Sequence, residues 1–245
     1  MKTLAFAGRN AKEIVRDRLN LAFGIGFPAA LLYLMSAIQA NIPVSLFEID
    51  RLAPGVAVFG LSFVSLFSGM LISKDRGSSF LMRLFASPLT SGNFIIGYAC
   101  PFFLIAVAQS VICFALAFPL GLPINANILV ALVVLMPTAV LFIGIGLLAG
   151  TVFTDKQVGG ICGALLTNVS AWLSGAWFDL NLVGGAFKAI ANALPFARAT
   201  NATRAAVAGR YGEIFPDLWW VIAYAVAVFA LAIVVFNRKM KSDVK

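Results

Sequence analysis

No Asp, Glu, Lys or Arg occurs between Arg83 and Asp155. A membrane-spanning helix needs about 20 consecutive apolar residues, so this interval is long enough for more than one crossing. The whole chain has the same bias, because 61% of its 245 residues are hydrophobic and only 11% are charged. A typical soluble domain carries about 25% charged residues. The sequence therefore predicts an all-α membrane protein, since backbone polar groups inside a bilayer must be satisfied within the helix itself.

Six apolar segments are each long enough to cross a bilayer as a helix. They cover residues 19–37, 52–72, 94–120, 128–153, 158–178 and 218–236. The connections between them are short, and the longest one, from Asp179 to Asp217, is itself rather apolar. We therefore expect a single transmembrane domain over residues 1–245, with six spans and no separate soluble domain.

The positive charges divide unequally between the two sides that six spans would create. The first side has thirteen and the second has five. The first set is Lys2, Arg9, Lys12, Arg16, Arg18, Lys74, Arg76, Arg83, Lys156, Arg238, Lys239, Lys241 and Lys245, and the second is Arg51, Lys188, Arg198, Arg204 and Arg210. Because Lys and Arg are retained on the cytoplasmic side, we expect a multi-pass inner (plasma) membrane protein with both termini in the cytoplasm.

Several classes of function are disfavoured by the composition. The net charge of +8 would suit nucleic-acid binding, but the basic residues lie in short segments between apolar runs, so no nucleic-acid partner is expected. The chain has no His, and its three cysteines form no Cys-x-x-Cys pair, so no metal site is predicted. No set of residues resembles a catalytic centre. We therefore expect that the chain is not an enzyme.

The N-terminal residues 3–18 are predicted to form an interfacial helix on the cytoplasmic face. Apolar residues at roughly helical spacing alternate with charged ones, as in a helix that lies in the plane of a membrane surface. The apolar set is Leu4, Ala11, Ile14, Val15 and Leu19. This helix could anchor the chain, or it could help to hold a cytoplasmic partner.

The connection between the second and third spans is predicted to contain a transverse amphipathic helix. Ser78 or Ser79 can cap it, and Pro88 ends it, because the residue before a proline is disfavoured in helical geometry. Its apolar face would consist of Phe80, Leu81, Leu84 and Phe85. Such a helix could transmit movement from a soluble partner, or it could simply lie at the lipid interface.

The connection between the fifth and sixth spans is predicted to contain two short helices on the outer side. Pro195 separates an amphipathic stretch at 180–194 from a second one at 196–207. These helices could re-enter the outer leaflet, because non-spanning backbone at membrane depth is tolerated when protein covers it. A hairpin lying on the membrane surface is the alternative.

A few polar and small residues fall inside the predicted spans. Gln109 and Asn168 are candidates for lining a transport pathway, although hydrogen bonding between helices accounts for them equally well. The pairs Gly146/Gly150 and Gly159/Gly163 indicate close helix packing. No ionisable residue lies deep in a predicted span, which disfavours an ion-coupled carrier.

Three segments, taken together, resemble the membrane subunits of type-two ABC exporters. The run from Asp75 to Thr90 resembles their coupling segment, with its acid-x-Gly-Ser start and its Ser-Pro-Leu end. Leu173–Phe178 resembles a Ser-Gly-hydrophobic stretch, and Leu194–Arg198, followed by Arg204, resembles a proline-containing element. Ser78, Tyr98 and Asp179 depart from the family pattern, which leaves the subfamily and the substrate open.

The resemblance implies a permease subunit that moves a hydrophobic, amphipathic or lipid-linked substrate out of the cytoplasm by ATP-driven alternating access. It also implies a second permease subunit, identical or different, and a separate cytoplasmic ATPase that binds ATP and Mg, because this chain has no phosphate-binding G-x-x-x-x-G-K-[ST] loop. The implied ATPase contact is Asp75, Arg76, Gly77, Phe80, Leu81, Leu84 and Phe85. The implied outer re-entrant element includes Pro195, Arg198 and Arg204. A secondary transporter or channel without an ATPase is the alternative.

Overall fold

The computed structural model describes residues 2–78 and 90–243, and these residues form an assembly of helices. In chain order the helices are α1 (Lys2–Arg16), α2 (Arg18–Gln39), α3 (Ile49–Gly77), α4 (Ser91–Ala117), α5 (Asn127–Val152), α6 in three consecutive pieces (Asp155–Val158, the π-helical Gly159–Leu166 and Thr167–Leu173), α7 (Leu180–Val183), α8 (Gly185–Ala193), α9 (Pro195–Val207) and α10 (Ile214–Asp243), which the 3-10 turn Tyr211–Glu213 precedes.

Five helices of the described chain are long and apolar enough to cross a membrane. They are Asn20–Gln39, Ile49–Gly77, Gly92–Ala117, Asn127–Val152 and Tyr211–Lys239. These confirm five of the six predicted spans. The remaining predicted span, 158–178, coincides with α6, which changes to π-helical geometry at Gly159 and ends at Leu173. It is not among the five, and six spans remain a prediction.

The charged residues are grouped at the two ends of α3. At one end, which we call the Asp75 end, Lys74 and Asp75 pair with charged groups of α1. At the other, the Arg51 end, ion pairs join Arg198 to Asp217 and Arg210 to Glu213. Each of these ion pairs therefore joins residues at the same end of the assembly.

The centre of the assembly is the contact between α3 and α5, where small residues allow the two backbones to approach closely. A Cβ atom added at Gly146 would overlap the Ser65 carbonyl oxygen, and one at Gly150 would overlap that of Gly69. The predicted close packing through Gly146 and Gly150 is therefore confirmed. The same prediction is wrong for Gly159, because a Cβ there would meet no heavy atom within 4 Å.

Gly146→Ala is expected to destabilise the protein, because the added methyl group would force α3 and α5 apart. Overpacking of this kind costs about 1–3 kcal/mol, which corresponds to a fall in melting temperature of at least about 2–4 °C in a chain of this size. Gly159→Ala is the matched control and should leave the melting temperature unchanged or raise it slightly, since Ala favours helix. Thermal unfolding in detergent measures both, and equal melting temperatures would contradict this account of the packing.

The helices α2 and α10 are only lightly covered by the rest of the described chain. Their outward faces carry large exposed apolar side chains, namely Phe23, Phe27, Leu34, Trp219, Trp220, Val226, Leu231 and Val234. Contiguous apolar surface on this scale is typical of contact with lipid or with another protein.

Candidate functional site

Asp75, in the last turn of α3, is held by side chains from two other helices. Arg9 of α1 donates to both of its carboxylate oxygens, at 2.5 Å from Nη1 to Oδ2 and 3.0 Å from Nη2 to Oδ1. The Tyr98 hydroxyl of α4 donates to Oδ2 at 2.9 Å. Asp75 is only 5% exposed. Bidentate pairs of this kind are strong and geometrically specific, so these three residues, the Asp75 cluster, fix α1, α3 and α4 relative to one another.

Apolar packing beside the cluster holds α1 against the start of α4. The Phe6 ring meets those of Phe94 and Tyr98 edge to face, with centroids 5.6 Å and 4.9 Å apart. Asn10 Nδ2 donates to the Gly97 carbonyl oxygen at 3.1 Å. Gly97 is required here, because a Cβ atom at this position would lie within van der Waals overlap of the Phe6 ring.

The face of α1 that packs against the other helices consists of Phe6, Asn10 and Ile14, at spacings of four residues, whereas Leu4 and Val15 are exposed. An interfacial helix turns apolar residues towards lipid, so the exposure of Leu4 and Val15 leaves the interfacial helix a prediction. Asn10, which the predicted apolar set did not include, is buried with a hydrogen-bond partner on α4.

The charges around Arg9 favour its protonated form. Burial acts to lower the pKa of Arg9, but its hydrogen bond to Asp75 and the negative charges of Asp75 and Glu13 act the other way, and the pKa is raised above its ordinary value. The guanidinium therefore stays protonated throughout the physiological range.

The exit of α3 is also tied to α5. Arg76 Nη2 donates to the Phe153 carbonyl oxygen at 2.9 Å, just after α5 ends. The Ser78 hydroxyl donates to the Asp75 carbonyl oxygen at 2.8 Å, and Gly77 is exposed. Of the predicted ATPase contact, Asp75 thus faces inward and Gly77 outward. Phe80, Leu81, Leu84 and Phe85 lie outside the described residues.

At the opposite end of the molecule, Arg204 of α9 joins two of the segments that the sequence singled out. Its Nε donates to the Arg51 carbonyl oxygen at 3.0 Å, and its Nη2 donates to that of Gly175 at 2.8 Å. Gly175 follows α6 with φ of +68°, a left-handed conformation that favours glycine. Burial and the charge of Arg51 lower the pKa of Arg204 to about 10, against the opposing effect of Asp179 and Asp50.

Arg198 connects α9 to α8 and α10. Its Nη1 donates to Asp217 Oδ1 at 2.6 Å, its Nε donates to the Asn192 carbonyl oxygen at 3.1 Å, and the guanidinium lies 5.9 Å from the centre of the Trp220 ring. Pro195 begins α9, as its fixed φ and missing N–H favour. A cavity of about 870 Å³ opens at this end, with Arg51, Arg204 and Asp217 among its lining residues.

The two candidate pathway residues do not lie together. Gln109 is buried between α3 and α4. Asn168 is exposed, and its Nδ2 donates to the Ala164 carbonyl oxygen of its own helix at 2.7 Å. Within residues 2–78 and 90–243 no group of three or more His, Cys, Asp or Glu side chains could hold a metal ion.

Sequence reasoning missed Arg9 and Tyr98 as members of the Asp75 cluster. Arg9 was assigned only to the positive charge of its side, and Tyr98 only to a departure from a family pattern. Arg9 lies 66 residues before Asp75, and Tyr98 lies 23 residues after it. The available signal was a lone acidic residue, Asp75, at the end of an apolar span with a basic amphipathic helix on the same side.

A comparison with protein families matches residues 1–207 to the model of the ABC-2 type transporter. The match covers α1 to α9 and therefore includes the Asp75 cluster, Gln109, Arg198 and Arg204. No curated protein matches the chain in a direct comparison. The chain belongs to the ABC-2 type transporter family, as the membrane permease of an ABC transporter.

Proposed function

We propose that this chain is the permease subunit of an ABC exporter, which moves a hydrophobic, amphipathic or lipid-linked substrate out of the cytoplasm by ATP-driven alternating access. A separate cytoplasmic ATPase would bind ATP and Mg and supply the movement. The observation that carries the proposal is the Asp75 cluster. It lies immediately before residues 79–89, where the ATPase would bind the permease.

The geometry at the end of α3 suits the transmission of force. Asp75 is bound to α1 and α4, and Arg76 is bound to the end of α5. A displacement of residues 79–89 by the ATPase would therefore move α3, α4 and α1 together rather than bending one free helix end. Gly77, Phe80, Leu81, Leu84 and Phe85 would then provide the contact surface, and Asp75 and Arg76 would hold its base.

We further propose a single permease domain over residues 1–245 with six crossings. Asp155 lines a cavity together with Lys74 at the Asp75 end, and the Gly175 carbonyl accepts from Arg204 at the Arg51 end. Residues 155–175 therefore run from one end of the assembly to the other, which supports α6 as the additional crossing. The excess of Lys and Arg at the Asp75 end supports a cytoplasmic location for that end and for both termini in an inner membrane.

The helices α8 and α9 are proposed to re-enter the membrane from the outer side. Most of α9 is buried against the spans, which favours this arrangement over a hairpin on the surface. Pro195 sets the break before α9, Arg198 fixes α9 to α10, and Arg204 fixes it to α3 and α6. The pairing of each guanidinium explains how charged residues can be tolerated at that depth.

A second permease subunit, identical or different, and membrane lipid would cover the exposed apolar faces of α2 and α10. One subunit with such exposed faces would not enclose a path for the substrate, so a second subunit would have to form the other side of the path. The described spans carry their charged residues near their ends, which argues against the alternative of an ion-coupled secondary transporter.

Affinity isolation of the tagged chain in mild detergent tests this function. We expect an ATPase subunit with a phosphate-binding loop to be isolated in equal amount with the permease, and transport by reconstituted vesicles to require ATP. Isolation of the chain without any ATPase, together with transport that persists without ATP, would contradict the proposal and support a carrier or channel.

A further inference from the structure

A second cavity, of about 520 Å³, lies between α1, α2, α3 and α4 and opens at the Asp75 end. Its mouth carries charges of both signs, including Glu13 and Lys74, and its walls are apolar, including Leu21, Phe67 and Phe102. Along α3 the cavity extends from Lys74 to Val64, which is about 15 Å at the rise of an α-helix. Its size is typical of small-molecule sites, and its polar lining residues other than Gln109 lie at the mouth.

Gln109 of α4 is the polar group deep in this cavity. It is 3% exposed, and its amide oxygen is buried with no hydrogen-bond partner in the part of the chain that the structure describes. The opposing helix leaves room for the amide, because a Cβ atom at Gly60 would overlap Gln109 Nε2 and would lie 3.3 Å from Cδ. The side chain is thus accommodated by α3 without being bonded to it.

An unbonded buried amide is costly, at about 1–3 kcal/mol, and such groups in native proteins have a reason. A single water would need two to four polar partners to be held there. The neighbouring lining residues at this depth, Val64, Phe102 and Ile105, offer none from their side chains. A ligand that brings its own hydroxyl or amide group would satisfy Gln109 once the buried amide turns towards the cavity, and its apolar part would fill the space between the apolar walls.

We propose that this cavity binds an elongated, mainly apolar molecule with a hydroxyl or amide group that hydrogen bonds to Gln109. The proposal rests on the exporter function above and gives its substrate site a chemical preference. The charged mouth would remain at the cytoplasmic membrane surface, where the polar end of an amphiphile lies, and the tail would extend along α3 to Gln109.

The preference for a hydroxyl group can be tested with two matched probes, radiolabelled 12-hydroxystearate and stearate. The binding of each probe to the full-length chain is measured in lipid nanodiscs. The wild-type chain should bind the hydroxylated probe about 3–10-fold more tightly, the ratio that one net hydrogen bond provides. Gln109→Leu should reduce this ratio to about one. Gly60→Ala should reduce it as well, because the added methyl group displaces the Gln109 amide.

Ser110→Ala is the control, since its hydroxyl donates to the Ala106 carbonyl of its own helix at 2.8 Å and lies outside the cavity lining. It should keep the wild-type ratio. Gln109→Leu should also keep or raise the melting temperature, because it removes an unpaired buried polar group, so loss of the ratio in that variant is separable from misfolding.

Equal binding of the two probes by the wild-type chain, or an unchanged ratio in Gln109→Leu, would overturn the proposal. This measurement uses no ATP and no ATPase. If it fails while ATP-dependent transport and ATPase isolation succeed, the exporter function stands and only the site is wrong. If no ATPase is isolated with the chain while the binding ratio behaves as expected, the binding site stands and the exporter function is wrong.

Discussion

Asp75→Asn is expected to reduce ATP-driven transport by at least about tenfold while the chain still inserts into the membrane. The variant keeps the shape of the side chain and can still accept from Tyr98, but it removes the charge that pairs with Arg9. Loss of a hydrogen bond between charged groups costs about 1.5–3 kcal/mol, and Arg9 is about one-third exposed, so the lower part of that range applies. A cost of about 1.4 kcal/mol is already a tenfold change in an equilibrium, here that of α1 docked on α3.

A double-mutant cycle of Arg9→Gln and Asp75→Asn separates this interaction from general damage. The two single variants and the double variant should have similar transport rates, because each one breaks the same pair. Arg210→Ala is the control, since it also removes an ion pair, at 2.8 Å from Glu213, but Arg210 is 59% exposed and lies at the Arg51 end. Exposed pairs contribute about 0–1 kcal/mol, so its transport should stay close to that of the wild type. Additive losses in the cycle, or an equal loss in Arg210→Ala, would show that the Asp75 cluster has no special role.

The double variant Phe80→Asp and Leu84→Asp is expected to abolish transport and to uncouple it from ATP hydrolysis. If these side chains insert into a cleft of the ATPase, two carboxylates there would have to be buried without partners, which costs several kcal/mol each. The reconstituted complex should lose both the stimulation of ATPase activity by the permease and the export of substrate. Membrane insertion should be unaffected, because the changes lie outside the predicted spans.

Two added carboxylates at the opposite end provide the control for this variant. Val44 and Ile124 are exposed residues of connecting segments at the Arg51 end, and Val44→Asp with Ile124→Asp adds the same charge. Export and ATPase stimulation should be retained in that control. Wild-type export by the Phe80 and Leu84 variant would count decisively against residues 79–89 as the ATPase contact.

The features that the sequence predicted well are those that depend on local composition. Five spans were located because a run of about 20 apolar residues rarely forms anything other than a membrane-spanning helix. The break before α9 was located because a proline disfavours helical geometry in the residue before it, here Leu194, which is extended. The grouping of charged residues at the two ends followed from the same logic, because charges are excluded from the apolar interior between them.

The features that were missed depend on contacts between distant parts of the chain. The pairing of Arg9 with Asp75 joins residues 66 positions apart, and no spacing rule encodes it. The burial of Asn10 was missed because this polar residue is bonded to the Gly97 carbonyl oxygen of another helix. The π-helical piece Gly159–Leu166 was also unforeseen, since hydrophobic periodicity does not distinguish a π-turn within an apolar run.

The central claim is that a soluble ATPase binds this permease at the end of α3. A photo-crosslinking amino acid in place of Gly77 tests this claim most directly. Gly77 is exposed, and a Cβ atom added there meets no heavy atom within 4 Å, so the substitution should not disturb the fold. We predict that illumination of intact membranes links Gly77 to a cytoplasmic ATPase subunit, whereas the same group at Ile124 does not. Crosslinks from Gly77 to lipid or to proteins of the outer side only, with no ATPase among them, would contradict the account.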